Sequence, residues 1–317
     1  MREDPSECSP LTQRDAFELV GDETRAEILR VLSEAREGGL PPTLSFAELR
    51  DRLTVDTGSS QFNYHLDRLT GTFVEDRSQG SAQLVDAFVE GDDGYALRPT
   101  GTLLTRLFAA TGSPEGRDTA APAFDTDTAC HYCGETLRAQ YANRTFRLWC
   151  PGCDHQYVYT LVPPGLLAGD PSPETLLDRA DAYLRRKYTT FARGTCPMCA
   201  SGTPPTVVAP EEINWPGADR LTALFRRRCD HCGNLNYALL GTELLTDPGL
   251  VAFCRETGLD VTDTRLWALP FALTDRHTTV DREEPWTATL SLTRDGARLD
   301  LQVDDDLRIV DRARTDR

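Results

Sequence analysis

Eight of the ten cysteines in this 317-residue chain fall into four Cys-x-x-Cys pairs: Cys130/Cys133, Cys150/Cys153, Cys196/Cys199 and Cys229/Cys232. Two thiolates at that spacing point at one cation, and two such pairs complete a tetrahedral four-sulfur zinc site with no open coordination position. The chemistry on offer is therefore structural metal binding: two four-cysteine sites, each for one Zn²⁺. Cys133 and Cys150 have 16 residues between them, within the spacing of a zinc ribbon, whereas Cys199 and Cys229 have 29. Closure within each set is the simplest pairing, and ligands mixed between the two sets is the alternative left open. His131, His155 and His231 stand near the cysteines, either as substitute ligands or as groups that support them. Cys8 and Cys254 lie outside the pattern.

The elements that must hold these cysteines are legible as short strands. LRAQYA and TFRLWC flank a turn at Asn143-Arg144, and QYVYTLV follows Cys153, so the first set reads as knuckle, hairpin, knuckle, strand. Gly134 supplies backbone freedom behind the first pair. In the second set TVVAP, DRLTALFRRRC and NLNYALLG are strand-like. Between the sets an amphipathic helix is capped at Ser172, with Leu177, Ala180, Leu184, Tyr188 and Phe191 on one face, as core or as a dimer seam. The basic runs Arg185-Arg186-Lys187 and Arg226-Arg227-Arg228 would touch phosphate or pair with carboxylates. Beyond residue 241, a helix near TELLTDPGLVAFCRETG leads to WTATLSLT and ARLDLQV around Arg294-Asp295-Gly296, and LRIVDRA adds a strand. Phe253, Trp267, Phe271 and Trp286 suggest a small core there, with or without a ligand pocket.

The first hundred residues read differently. Residues 14–20 form a short helix. Asp22 caps a second helix that buries Ile28, Leu29, Val31 and Leu32, and Ser45 with Glu48 forms a capping box for a third. A fourth helix, SSQFNYHLDRL, places Phe62, Leu66 and Leu69 on its core face. Its polar side chains fall largely outside that stripe and are of the kind that read base edges in a major groove. Asp86–Glu90, the turn GDDG and Tyr95–Arg98 read as a wing, residues 73–85 as an insertion before it, and Pro99-Thr100-Gly101 precedes a closing helix.

DETRAEILRVL, FAELRDRL, SSQFNYHLDRL and GYALRPTG resemble the winged helix-turn-helix of the ArsR-type repressors over about a hundred residues. The resemblance implies a homodimer that binds double-stranded operator DNA, with outer helices at the dimer interface. It also implies that Ser60, Gln61, Asn63, Tyr64 and His65 contact DNA and that Arg68 meets phosphate. His65 has a second reading as an imidazole packed within the fold. The recognition segment and the helix before it contain no cysteine, so thiolate metal sensing does not carry over. The whole layout is similar to haloarchaeal ArsR-like regulators.

Composition frames these readings. The formal charge is −16, and of 34 basic residues only Lys187 is lysine, a balance that resembles cytosolic proteins of extreme halophiles. An ordinary acidic protein is the plainer reading. Residues 14–112 hold 10 Arg against 17 Asp and Glu, a net −7, unlike most DNA-binding domains. Molar salt, with a Debye length of ~3 Å, screens that repulsion. The first residues lack an apolar signal region, and no apolar run reaches membrane-spanning length, which implies a cytoplasmic protein with no membrane contact.

The expected architecture is an α+β multidomain chain. It comprises a winged helix-turn-helix over 12–112, a linker over 113–128 and a first zinc ribbon over 129–169. A connecting helix over 170–194 precedes a second ribbon with a C-terminal α/β extension over 195–317. The expected function is a sequence-specific transcriptional regulator with structural zinc. A zinc-ribbon adaptor for transcription-machinery proteins or RNA, its winged helix binding protein, is the alternative. No nucleophile elbow, phosphate-binding loop, open metal site or carboxylate pair is present to suggest an enzyme. Oxidation of the thiolates with loss of zinc is a secondary expectation.

Overall fold

The computed structural model describes residues 12–35, 43–77, 93–112, 122–213 and 216–316. They form two compact units, residues 1–112 and 113–317, each built around its own core.

The first unit opens with α1 (Gln13–Val20) and α2 (Glu23–Glu34), and the Asp22 carboxylate caps α2 by accepting from Arg25 N at 3.0 Å. Next come α3 (Phe46–Asp51), started by the Ser45/Glu48 capping box, and α4 (Ser59–Leu69). Ile28, Leu29, Val31 and Leu32 of α2 meet Phe62, Leu66 and Leu69 of α4 in one buried cluster with Leu49.

The hairpin of this unit differs from the expected wing. Its first strand is β1 (Val74–Asp76), which pairs antiparallel with β2 (Tyr95–Leu97), Val74 facing Leu97. Residues 73–77 are thus not an insertion. Phe73 and Val74 are buried, and a strand of three residues is too short to show the alternation that marks longer ones. Asp86–Glu90 and the first half of GDDG lie outside the described residues. Leu44 and Tyr95 exchange backbone hydrogen bonds (3.0 and 2.8 Å), an isolated antiparallel bridge at the ribbon's edge. The closing helix α5 (Pro99–Thr111) starts at Pro99 itself, so Gly101 lies inside it, buried where a Cβ would collide with the Phe73 carbonyl.

Among the described residues the second unit holds three antiparallel sheets. The first is β3 (Phe124–Ala129), β4 (Thr136–Ala142), β5 (Thr145–Trp149) and β6 (Gln156–Leu161), in that order. β3 falls within the stretch read as linker. Its FDTDTA sequence looks like loop by composition, yet it alternates Phe124, Thr126 and Thr128 against exposed or half-exposed neighbours, and it pairs with β4. The β4–β5 turn is made by Asn143 and Arg144, both left-handed (φ 49° and 60°), as a two-residue hairpin requires.

Helix α6 (Pro173–Ala192) follows, its N-terminus capped by Ser172 Oγ. Leu177, Ala180, Leu184, Tyr188 and Phe191 are all buried inside the unit, so this face is core. The second sheet is β7 (Pro205–Val208), β8 (Leu224–Arg228) and β9 (Leu235–Ala238). After α7 (Leu240–Glu243) and α8 (Pro248–Glu256) comes a meander of β10 (Thr278–Asp281), β11 (Thr287–Arg294), β12 (Ala297–Val303) and β13 (Ile309–Thr315). β10 is a strand that the sequence did not reveal.

One hydrophobic cluster runs from Leu137, Phe146 and Leu148 of the first sheet through α6 to Trp267 and Phe271 and on to Leu290 and Leu301 of the meander. The segments drawn separately from the sequence beyond residue 129 therefore share one core. Backbone hydrogen bonds to an ion pair on α6 tie α6 to the segment around residues 261–266. Asp181 on α6 accepts from Arg185 Nε (2.5 Å) and Leu266 N (2.7 Å), and Arg185 also donates to the Val261 carbonyl at 2.8 Å. Among the described residues no helix is long and apolar enough to cross a membrane.

Candidate metal centres and the polar face of the fourth helix

The eight paired cysteines converge as two separate groups of four, each with all its sulfurs within 4.8 Å of one another. In the first group Cys130 Sγ lies 3.7 Å from Cys153 Sγ and Cys133 Sγ 3.3 Å from Cys150 Sγ. In the second, Cys196–Cys232 is 3.6 Å and Cys199–Cys229 is 3.4 Å. Four sulfurs at metal bonds of ~2.3 Å in a tetrahedron stand ~3.8 Å apart, whereas a disulfide would bring two to ~2.05 Å. All eight are free thiols at metal-binding separation, and the two sets do not exchange ligands. These are two structural metal sites.

The same backbone device builds all four knuckles. The first cysteine's N–H donates to the carbonyl five residues on, and its own carbonyl accepts from the N–H four residues on. The pairs are Cys130 with Glu135 and Gly134, Cys150 with His155 and Asp154, Cys196 with Ser201 and Ala200, and Cys229 with Asn234 and Gly233, all at 2.7–3.0 Å. Closing that loop puts the fourth residue in the left-handed region: φ is 81° at Gly134, 56° at Asp154, 61° at Ala200 and 75° at Gly233. Glycine at two of the four positions is the trace this geometry leaves in the sequence.

Donors around the sulfurs favour the thiolate that a metal needs. Cys199 is pulled down to about 6, first by the Ser201 backbone N–H. At Cys130 burial raises the thiol, and the Tyr157 hydroxyl at 3.3 Å with nearby backbone N–H groups more than offsets this, leaving it at about 7. Burial drives Cys150 the other way. Tyr157 also accepts from His131 N at 2.9 Å, and Asn234 Nδ2 reaches Cys196 Sγ at 3.6 Å. Neither Tyr157 nor Asn234 was singled out from the sequence, because an ordinary strand tyrosine and a turn asparagine carry no spacing signal. The histidines hold other places. His131 Nε2 sits 2.9 Å from the Trp267 carbonyl, His155 is buried between the rings of Tyr132 and Tyr157, and His231 is exposed. Cys254 is buried in the core, its thiol pushed up to about 11 by burial.

In the first unit, Ser60, Gln61, Asn63, Tyr64 and Arg68 are exposed on α4, opposite Phe62, Leu66 and Leu69. His65 is not with them. It is 7% exposed, with Nδ1 3.2 Å from Asp22 Oδ1, where it links α4 to the cap of α2. At i+3 from Phe62 the helical period carries it to the core side, so the packed reading of this imidazole is the one the structure places. Asn63 Nδ2 donates to Asp67 Oδ2 at 3.0 Å, one turn along the same helix. Arg50 Nη1 donates to Ser59 Oγ at 2.9 Å, joining α3 to the start of α4.

The expected basic runs are largely engaged inside the second unit. Arg227 is 4% exposed and donates to Glu243 Oε2 (2.9 Å) and to the Thr203 and Ala192 carbonyls (2.8 and 3.3 Å). Lys187 Nζ donates to Thr160 Oγ1 at 2.7 Å.

The fold and sites define a two-unit α+β protein with a pair of cysteine-ligated structural metal centres. Residues 127–309 match the family described as Domain of unknown function (DUF7351), and the chain belongs to it. Residues 13–108 match a second family, described as Domain of unknown function (DUF7347). No curated protein and no solved structure matches the chain.

Proposed function

We propose that this protein is a sequence-specific DNA-binding transcriptional regulator of ArsR-like type, with Zn²⁺ in both structural sites. The observation that carries this reading is the exposed polar face of α4. Ser60, Gln61, Asn63 and Tyr64 project from the N-terminal half of a helix whose other face is fully buried, and Arg68 stands a turn further on. α3, the turn to Gly58 and α4 have the order of a helix-turn-helix, and β1–β2 follows where a wing belongs. Four sulfurs in a tetrahedron suit zinc, which closes such sites without redox chemistry. A homodimer is part of the proposal: Phe17 on α1 and Leu103, Leu107 and Phe108 on α5 are 46–67% exposed, apolar surface of the kind a partner covers.

Genome-wide crosslinking of tagged protein in its native salt tests this, beside a Gln61→Ala/Asn63→Ala/Arg68→Ala variant that leaves buried His65 in place. Discrete promoter peaks lost in the variant are the expected result. Peaks unchanged in the variant, or none at all, would overturn it. One observation favours the second reading, an adaptor whose winged helix binds protein. Asp67 stands beside Asn63 and adds a carboxylate to the same helix, the wrong sign for a phosphate backbone.

A further inference from the structure

A cavity of about 440 Å³ opens in the second unit, between β6 of the first sheet, α6, and β9 of the second. In a chain with 50 acidic residues, no Asp or Glu among the described residues lines it, while two cations, Arg186 and Lys187, do. Lys187 is the only lysine in the chain. Its ammonium carries three donors, and the hydrogen bond to Thr160 uses one. No carboxylate pairs with it among the described residues, and burial holds it down at about 8. The Arg186 guanidinium lies over the Tyr183 ring at 5.3 Å, also without a carboxylate partner among the described residues. Asn236 also lines the cavity; it is 4% exposed and its Nδ2 has no hydrogen-bond partner among the described residues. Such a group costs free energy unless a ligand satisfies it.

The apolar part of the wall is as distinctive. Tyr159, Leu161, Met198 and Leu235 are 58, 73, 67 and 41% exposed, and all four line this one cavity. One cavity thus combines exposed apolar side chains with two cations that have no carboxylate partner among the described residues.

We propose that this cavity binds a small organic monoanion, a carboxylate with an aliphatic or aromatic body. The carboxylate meets Lys187 and Arg186, Asn236 contributes its amide N–H, and the body lies against Leu161, Met198 and Leu235. An inorganic anion would leave the apolar wall wet, and a neutral body would leave the ammonium unpaired. The acidic surface elsewhere repels anions, so a cavity lined by two cations and by no Asp or Glu among the described residues discriminates by contrast. Asn234 lines the cavity and also reaches Cys196 Sγ, and Met198 sits within the Cys196/Cys199 knuckle, so a bound ligand shares its wall with the second metal centre. The site stands on the second unit alone and does not depend on DNA binding.

Its single lysine makes the test direct. Biosynthetic incorporation of ¹³C,¹⁵N-lysine labels Lys187 alone and leaves its three N–H donors intact. The labelled, metal-loaded protein is titrated with 3-phenylpropionate and octanoate, and in parallel with 3-phenylpropionamide and inorganic phosphate. The expected result is a saturable shift of the Lys187 resonance with the carboxylates, an upward move of its titration midpoint by at least one pH unit, and binding at least tenfold weaker for the amide. By calorimetry on unlabelled protein, Lys187→Met loses at least tenfold in carboxylate affinity with both metal sites still loaded. Absence of saturation with either carboxylate by about 10 mM, equal binding of the amide, or a phosphate response matching the carboxylates would overturn the proposal. The NMR titration decides it even if the variant folds poorly.

Discussion

Arg227→Met should destabilise the second unit by about 4 kcal/mol, and adding Glu243→Leu should recover about half of that. Arg227 on β8 is the hub between α6, the segment after Cys199, and α7. Its guanidinium binds the Glu243 carboxylate, the Thr203 carbonyl and the Ala192 carbonyl in a place where both charged side chains are at most 5% exposed. Burial pushes the Glu243 carboxyl up despite the arginine, so the carboxylate depends on that partner. Removing one member of a buried pair strands the other, at a cost of about 3–5 kcal/mol, whereas replacing both with apolar groups is often close to neutral. Here two carbonyls also lose a donor, each worth about 1 kcal/mol or more when buried, so the double variant remains about 2 kcal/mol below the parent. All four tryptophans lie beyond residue 112, so tryptophan fluorescence during denaturant unfolding of the metal-loaded protein reports this unit alone. The reasoning fails if the double variant is no more stable than Arg227→Met, or if the single variant costs under about 1 kcal/mol.

Lys187→Met should stabilise the unit by about 1–3 kcal/mol at pH 7, because the parent must bury a charged amine there. With the folded value down at about 8 from an ordinary 10.5, the unfolded chain holds more protons between those values. Parent stability therefore rises from about pH 8 to about 10.5, a slope the variant lacks in denaturant titrations at several pH values. Ala200→Gly should gain about 1 kcal/mol in metal-loaded unfolding experiments, since Ala200 is held at φ 61° with a side chain that disfavours it; a loss would show that the alanine methyl matters more than the strain. Cys133→Ser should halve the cobalt taken up, with the tetrahedral thiolate absorption of one site retained, because the two centres share no ligand. Loss of both bands would refute that independence.

Much was legible because local chemistry repeats. The helices of the first unit begin at Asp22 and Ser45 because those side chains cap there, and α4 runs from Ser59 to Leu69 as its apolar spacing requires. The Cys-x-x-Cys spacing placed every ligand, and positive-φ hairpin turns marked the joins at Asn143-Arg144 and Asp295-Gly296. β1 escaped notice because three residues are too few to show alternation, and β3 and β10 because four to six residues rich in Asp and Thr look like loop until a partner strand satisfies their backbone.

Which residues share a face follows from helical and strand period, a property of the chain by itself, and so do the metal ligands. Tertiary structure decided the rest. It put His65 against Asp22 and out of reach of the polar face, turned Arg227 inward to Glu243, and merged three sequence segments into one core. It also left the only lysine in a cavity that no Asp or Glu among the described residues lines. Each of these depends on what is packed opposite a residue across tens of positions in the chain, and burial, which sets the free energy of a charge, is a property of that neighbourhood rather than of the residue.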